Sequence, residues 1–188
     1  MPRLRRRQSP VAGTRVWLAP AALDDMLDEA NRRAPLETGG MLLGYVSPGG
    51  DPEQVMVEAV LGPGPAARHA KNRFDPDAGW QERELAGRYE KSGRITTYLG
   101  DWHTHPDGVA LPSRRDEKTA QAISREKSAR LPLPFILILA SDGDAELDDD
   151  ADATRDADGR EDERAWTFVV YRWDTRRLRA VESEVAGE

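Results

Sequence analysis

Apolar residues in this chain occur in short runs, and this pattern limits what the chain can form. The longest uninterrupted run, from Phe135 to Ala140, is far shorter than the roughly 20 apolar residues that a membrane-spanning helix requires. The core must therefore be assembled from several short strands and helices. A length of 188 residues suits one domain with one core. We expect a soluble, cytoplasmic protein with no membrane partner.

The absence of cysteine excludes several classes of protein. With no cysteine in the sequence, the chain cannot be a disulfide-stapled scaffold, a thiol-dependent catalyst or a protein with a cysteine-ligated metal site.

Charge is unevenly distributed along the chain. Residues 142–163 contain twelve acidic residues and two arginines, whereas the whole chain has a net charge of −7. This segment has no aromatic and almost no large aliphatic residues, so it cannot bury enough surface to order itself. We interpret 142–164 as a disordered acidic insertion. Because the rest of the chain is close to neutral, we expect no strong nucleic-acid binding.

The first thirteen residues have the opposite charge. They include four arginines and no following apolar run, which argues against a secretory signal. We expect a disordered basic arm at 1–13, one folded domain at 14–183 and a short tail at 184–188.

Hydrophobic periodicity and turn residues divide the domain into strands and helices. The predicted strands are 15–19, 39–46, 54–61, 95–105, 135–140, 165–173 and 178–181. The predicted helices begin at Pro20, at Asp75 or Asp77, and at Ser113, and they end near Pro35, Ser92 and Arg130. This order predicts an α/β protein of the α+β type, in which helices flank a single mixed β-sheet.

Two of the three histidines form the sequence His103-Thr104-His105 at the end of a predicted strand. Residues two apart on a strand point to the same face, so both imidazoles can reach one point. Asp116, in the first turn of the next predicted helix, can supply a carboxylate there. Two nitrogens and one oxygen suit zinc, and three protein ligands leave a fourth position for water, as in catalytic sites.

A general base and an oxyanion donor are also needed for hydrolysis. Glu37, just before a predicted strand, is the leading candidate for the base. The sequence does not exclude four other carboxylates, which are Glu58, Asp101, Asp107 and Glu117. Ser113 is the candidate donor. It also has the spacing of a helix cap, since Ser113-x-x-Asp116 has the form of a capping box, and the two roles are compatible.

Two residues outside this constellation have simpler interpretations. His69, flanked by Arg68 and Lys71, is expected to be a solvated loop histidine. Trp102 should face away from the histidines and pack in the core.

The combination of Glu37, His103-x-His105-Pro106 and Ser113-x-x-Asp116 resembles the JAMM motif of the JAB1/MPN/Mov34 metalloproteases. The stretch from Tyr98 to Pro106, together with Phe74-Asp75-Pro76-Asp77 and Trp80-Gln81, resembles the prokaryotic JAB branch. The likeness covers about residues 15–140.

This resemblance implies a role for each motif residue. His103, His105 and Asp116 would bind Zn²⁺, Glu37 would be the general base, and Ser113 would support the tetrahedral intermediate. It implies a JAB/MPN catalytic domain whose fold is similar to that of cytidine deaminases.

The resemblance also implies a substrate. Members of the family cut a peptide or isopeptide bond after the C-terminal Gly-Gly of ubiquitin-like proteins, and bacterial members act beside E1- and E2-like enzymes, including in anti-phage systems. The partner expected here is a ubiquitin-like protein or its conjugates.

Other functions stay open at this point. One is a non-catalytic MPN-type scaffold or binding module with an incidental metal, and another is a hydrolase that releases cysteine from a sulfur-carrier protein. A nucleobase deaminase is disfavoured, because the His-x-Glu and Cys-x-x-Cys sequences of that chemistry are absent.

Deleting residues 144–163 should leave the melting temperature nearly unchanged, because a segment with no aromatic and almost no large aliphatic residues contributes little to a core. Differential scanning calorimetry of the full chain and the deletion variant measures this. A drop above about 4 °C, equivalent to roughly 1 kcal/mol or more in a domain of this size, would show that the acidic tract is structured.

Overall fold

The computed structural model describes residues 13–47, 49–141 and 164–187. The predicted basic arm and the acidic tract at 142–163 lie outside the described residues, apart from Gly13. Within the described part of the chain, no helix is long and apolar enough to span a membrane.

The described residues form strands and helices close to those predicted. The strands are β1 (Thr14–Leu18), β2 (Gly39–Ser47), β3 (Glu53–Leu61), β4 (Arg68–Ala70), β5 (Arg73–Asp75), β6 (Thr97–His105), β7 (Phe135–Ala140), β8 (Thr167–Trp173), β9 (Leu178–Ala180) and β10 (Glu182–Val185). The helices are α1 (Pro20–Arg33), α2 (Ala78–Lys91) and α3 (Arg114–Arg125).

Eight of these strands form one mixed sheet in the order β10-β1-β3-β2-β6-β7-β8-β9. The pairs β1–β10, β1–β3 and β6–β7 are parallel, and the other neighbours are antiparallel. The predicted mixed sheet flanked by helices is therefore confirmed. Strand β6 lies near the middle of the sheet, between β2 and β7, so the His-x-His sequence at its end has a neighbouring strand on each side.

Both faces of the sheet are covered, which explains the continuous apolar sequence of β7. Leu137 and Leu139 pack on one face with Met26 of α1, whereas Ile136 and Ile138 pack on the other face with α3. Trp102 lies in the first of these clusters and is 1% exposed, as predicted.

Helix α3 is shorter than predicted. It ends at Arg125, and Glu126 is its C-cap with an extended backbone. The carboxylate of Glu126 accepts hydrogen bonds from the backbone N–H and hydroxyl of Ser128. Such local side-chain bonds compete with the helix, and Arg130 has a positive φ of 50°.

Three short strands, β4, β5 and β10, were not predicted. β4 and β5 pair as an antiparallel hairpin of three residues each, too short to show a periodic pattern. At the C-terminal end, β10 continues through Val185 and pairs with β1, so the sheet extends past residue 183, where the domain was expected to end.

Strand β6 contains a bulge beside Gly100. Its register against β2 shifts between Leu42, which is opposite Gly100, and Leu43, which is opposite Tyr98. Leu99 is the extra residue and points into the core. Gly100 has a φ of 141°, and a Cβ atom there would lie 1.9 Å from the carbonyl oxygen of Phe135. Only glycine fits this position without moving β7.

Gly100→Ala should therefore destabilise the protein by about 2–4 kcal/mol through strain and overlap with the β7 backbone. Gly87→Ala is the matched control, because Gly87 lies in α2 and a Cβ there has no neighbour within 4 Å; this change should stabilise by about 0.5–1 kcal/mol. Urea denaturation of both variants measures the difference. A Gly100→Ala protein as stable as wild type would contradict the close approach.

Candidate metal centre

The three predicted ligands converge at the end of β6. The Nε2 atoms of His103 and His105 are 3.2 Å apart, and His103 Nε2 is 3.3 Å from Asp116 Oδ1. His105 Nε2 lies 4.0 Å from Asp116 Oδ2. One ligand atom from each side chain lies within 4.8 Å of the other two.

These positions follow from local structure. His103 and His105 alternate with the fully buried Thr104 along β6, so both rings lie on the face away from Trp102. Asp116 is the third residue of α3 and completes the predicted capping box: Ser113 Oγ accepts from the N–H groups of Arg115 and Asp116, while Asp116 Oδ2 accepts from the Ser113 N–H at 2.6 Å. The cap leaves Asp116 Oδ1 directed at His103.

The loop after β6 fixes the ring of His105. Its Nδ1 lies 3.0 Å from the carbonyl oxygen of Val109. A carbonyl only accepts, so Nδ1 carries the hydrogen, and Nε2 has a lone pair for a metal. Metal-ligating histidines commonly use their second nitrogen in this way.

Electrostatics also favour the metal-binding forms of His105 and Asp116. Burial lowers the pKa of His105, which favours its neutral imidazole. For Asp116, burial alone would raise the pKa, but hydrogen bonds from His103 and Ser113 and the charge of His103 bring the pKa down to about 2. The carboxylate is therefore ionised at neutral pH.

The chemistry of this donor set fits zinc. Ligand atoms about 2.0–2.1 Å from a tetrahedral ion lie about 3.3 Å from one another, close to two of the three spacings found. Two imidazole nitrogens that face each other at 3.2 Å repel when both present lone pairs, and a cation between them removes that repulsion.

Glu37 lines the same cavity as His103 and Asp116. Burial raises the pKa of its carboxyl group; the charge of His103 lowers it and that of Asp116 raises it. The antiparallel pairing of Gly39 with His103 brings the start of β2 beside the end of β6. This cross-strand contact places the predicted base near the predicted ligands.

Of the four rival carboxylates, Asp101 also lines this cavity. Its Oδ1 accepts a hydrogen bond of 2.7 Å from the Tyr98 hydroxyl, and burial raises its pKa to about 6. The β6 bulge turns Tyr98 to the same face as Asp101, which allows this bond.

The other three rivals have different surroundings. Asp107 pairs with Arg164, and Glu58 accepts a hydrogen bond from Thr96. Glu117 follows Asp116 in α3 and is not among the residues that line the cavity.

Ser113 is exposed and is confirmed as the N-cap of α3. Its Oγ accepts two backbone hydrogen bonds there. A hydroxyl that accepts still has its own hydrogen, so capping leaves Ser113 able to donate.

The expectation for His69 was wrong. It lies in β4, is half-buried, and places Nδ1 3.0 Å from the main-chain oxygen of Glu37. Residues 32 positions apart in the sequence share this contact, and no local pattern indicates it.

A buried polar network below the site was also missed. The Thr38 N–H donates to Thr104 Oγ1 at 2.9 Å, and the Thr104 N–H donates to the Thr38 oxygen at 2.9 Å. The Thr38 hydroxyl donates to Glu29 of α1, which also pairs with Arg32 and Arg33. These contacts join the residue after Glu37 to the residue between the two histidines.

A mixed sheet between helices, with two histidines and an aspartate converging beside a glutamate, defines a class of metal-dependent hydrolases. Residues 19–171 match the family described as prokaryotic homologs of the JAB domain. The chain belongs to this family, and its site is that of a JAMM-type hydrolase.

Two relatives carry names that describe activities. A protein of Sinorhizobium fredii named "Probable metalloprotease y4qB" is 35% identical over 125 residues, covering 66% of this chain and 74% of the relative. A protein of Enterobacter hormaechei subsp. hoffmannii named "CD-NTase/cGAS isopeptidase" is 26% identical over 127 residues, covering 68% of each chain.

Solved structures share the fold, and one of them is a solution structure. The solution structure of protein DSY2949 from Desulfitobacterium hafniense has a TM-score of 0.60 and 20% identity, covering 92% of this chain and 94% of that one.

His103→Ala should abolish stoichiometric zinc binding, because it removes the ligand atom nearest to both other ligands. Zinc per chain after dialysis, measured by inductively coupled plasma mass spectrometry, should fall from near one to near zero. Glu117→Gln, one residue from Asp116, is the control and should retain zinc. Full occupancy in the His103→Ala protein would refute its role as a ligand.

Proposed function

We propose that this protein is a zinc-dependent peptidase or isopeptidase that cuts after the C-terminal glycine of a ubiquitin-like protein. The reaction is removal of the modifier from a conjugate or processing of its precursor, in a bacterial ubiquitin-like or anti-phage pathway. E1- and E2-like enzymes of the same operon are the expected partners. The observation that carries the proposal is a single cavity lined by Glu37 and by two of the three converging ligands.

His103, His105 and Asp116 are the residues that would hold the zinc. When bound, zinc supplies a Lewis acid that polarises the scissile carbonyl and makes a water molecule more acidic. The neutral ring of His105 and the ionised carboxylate of Asp116 are the forms that this role requires.

Glu37 would move the proton. Its carboxylate takes the proton from the attacking water and returns it to the leaving amine. Partial burial raises its pKa, which brings it nearer to neutral pH and makes both transfers easier. Ser113, at the N-terminus of α3, would donate a hydrogen bond to the developing oxyanion.

We place a thin substrate segment in this cavity. Phe74 and Pro76, together with Arg115 and Thr119 of α3, are among the residues that line it. Glycines have no side chains, so a Gly-Gly tail can lie extended in such a space. The relative named as an isopeptidase supports a protein conjugate as the substrate.

Glu37→Gln should retain zinc and lose kcat by about 10²–10⁴-fold, since it keeps the shape of the side chain and removes the base. The assay combines zinc analysis with chelator-sensitive cleavage of ubiquitin-like fusions that carry residues after Gly-Gly. Asp101→Asn, which retains an acceptor for Tyr98, is the comparison. Loss of cleavage in Asp101→Asn but not in Glu37→Gln would transfer the role of base to Asp101.

The same assay separates the alternative functions. Zinc without cleavage of any fusion or conjugate would favour a binding module. Release of cysteine from a sulfur-carrier protein, with no cleavage of ubiquitin-like fusions, would assign the other hydrolase activity.

A further inference from the structure

The backbone of Glu37 is held on both sides by strand β4. Its N–H donates to the carbonyl oxygen of Ala70 at 2.9 Å, and its own carbonyl oxygen lies 3.0 Å from His69 Nδ1. Because a carbonyl oxygen only accepts, His69 donates from Nδ1. His69 and Ala70 thus attach the main chain of Glu37 to β4 at two points.

The β4–β5 hairpin also contacts the cavity and helix α3. The His69 ring packs on Phe74, with ring centroids 5.4 Å apart and an interplanar angle of 31°, and Phe74 lines the cavity. At the turn of the hairpin, the carbonyl oxygen of Asn72 accepts a hydrogen bond from Arg115, which adjoins Asp116 in α3. The hairpin therefore links the base, the cavity wall and the ligand helix.

A main-chain attachment matters at this position because Glu37 lies just outside β2. The ladder between β2 and β6 begins at Gly39, and Thr38 is held by Thr104. Glu37 takes part in neither the β2–β6 ladder nor the threonine contact. Its main-chain hydrogen bonds are made with β4 instead. A general base must be held within about 0.5 Å of its working position, and displacement by about 1 Å can cost roughly 100-fold in rate.

We propose that His69 is a positioning residue that holds Glu37 in its working position through the hydrogen bond to the Glu37 carbonyl. This inference rests on the proposed function, in which Glu37 is the general base. His69 itself does not touch the substrate's reacting atoms.

Two substitutions separate the hydrogen bond from the ring packing. His69→Phe keeps an aromatic ring against Phe74 and loses the donor. His69→Asn loses the ring and keeps an N–H donor near the place of Nδ1. His69→Phe should lower kcat about 10–100-fold with KM and zinc content unchanged, whereas His69→Asn should stay within about threefold of wild type. Wild-type kcat in His69→Phe, or equal losses in both variants, would overturn the proposal.

Arg73→Ala is the matched control on the same hairpin. Arg73 is exposed, and its side chain pairs with Asp75. This variant should leave kcat within about twofold of wild type. A loss as large as that of His69→Phe would show that any change in the hairpin lowers activity, which contradicts a specific role for the His69 hydrogen bond.

Hydrogen exchange provides a readout that does not depend on activity. In zinc-loaded His69→Phe, the amides of Glu37 and Thr38 should exchange at least about tenfold faster, while those of His103 and His105 stay unchanged. Unchanged exchange at Glu37 would refute the positioning role even if the wild-type protein cleaved no substrate. Faster exchange together with an inactive wild type would instead sustain the attachment and refute the proposed peptidase function.

Discussion

The pairing of the start of β2 with the end of β6 is the contact on which the site depends. Thr38 and Thr104 exchange main-chain and side-chain hydrogen bonds, and both are fully buried. Each threonine is next to a residue with a chemical role, since Thr38 follows Glu37 and Thr104 separates the two histidines. Because these hydrogen bonds are buried away from water, breaking or misaligning one of them costs more free energy than it would at the surface. The core therefore aligns the start of β2 with the histidine-bearing end of β6, and strand β4 holds Glu37 beside them.

The cavity concentrates carboxylates, and this shapes its electrostatics. Glu37, Asp101 and Asp116 all line it, and burial acts to raise the pKa of each. In Asp116, hydrogen bonds and the charge of His103 outweigh burial, whereas in Asp101 they do not. Neighbouring groups, and not burial alone, thus decide the direction in which each pKa is shifted. A pocket with this charge favours a cation at its centre.

Much of the site could be predicted because its signals are local. His103 and His105 share a face by strand geometry, and Asp116 is placed by a capping box that is legible in four residues. Glu37 is the leading candidate for the base from its place before a predicted strand, but four rivals stay open in the sequence, since its proximity depends on strand pairing across more than sixty residues. The His69 contact could not be predicted, because β4 is too short to show periodicity and its partner is a main-chain atom.

The bulge at Gly100 changes which residues of strand β6 face the cavity. Asp101 and His103 line the cavity after the bulge, whereas before Gly100 the even-numbered Tyr98 does so and Leu99 turns inward. Strand β6 thus places Leu99 in the core and brings the Tyr98 hydroxyl and the Asp101 carboxylate to one face. In a regular strand, residues 98 and 101 would lie on opposite faces. The side chains that β6 presents to the cavity therefore depend on Gly100, although Gly100 is not itself among the residues that line it.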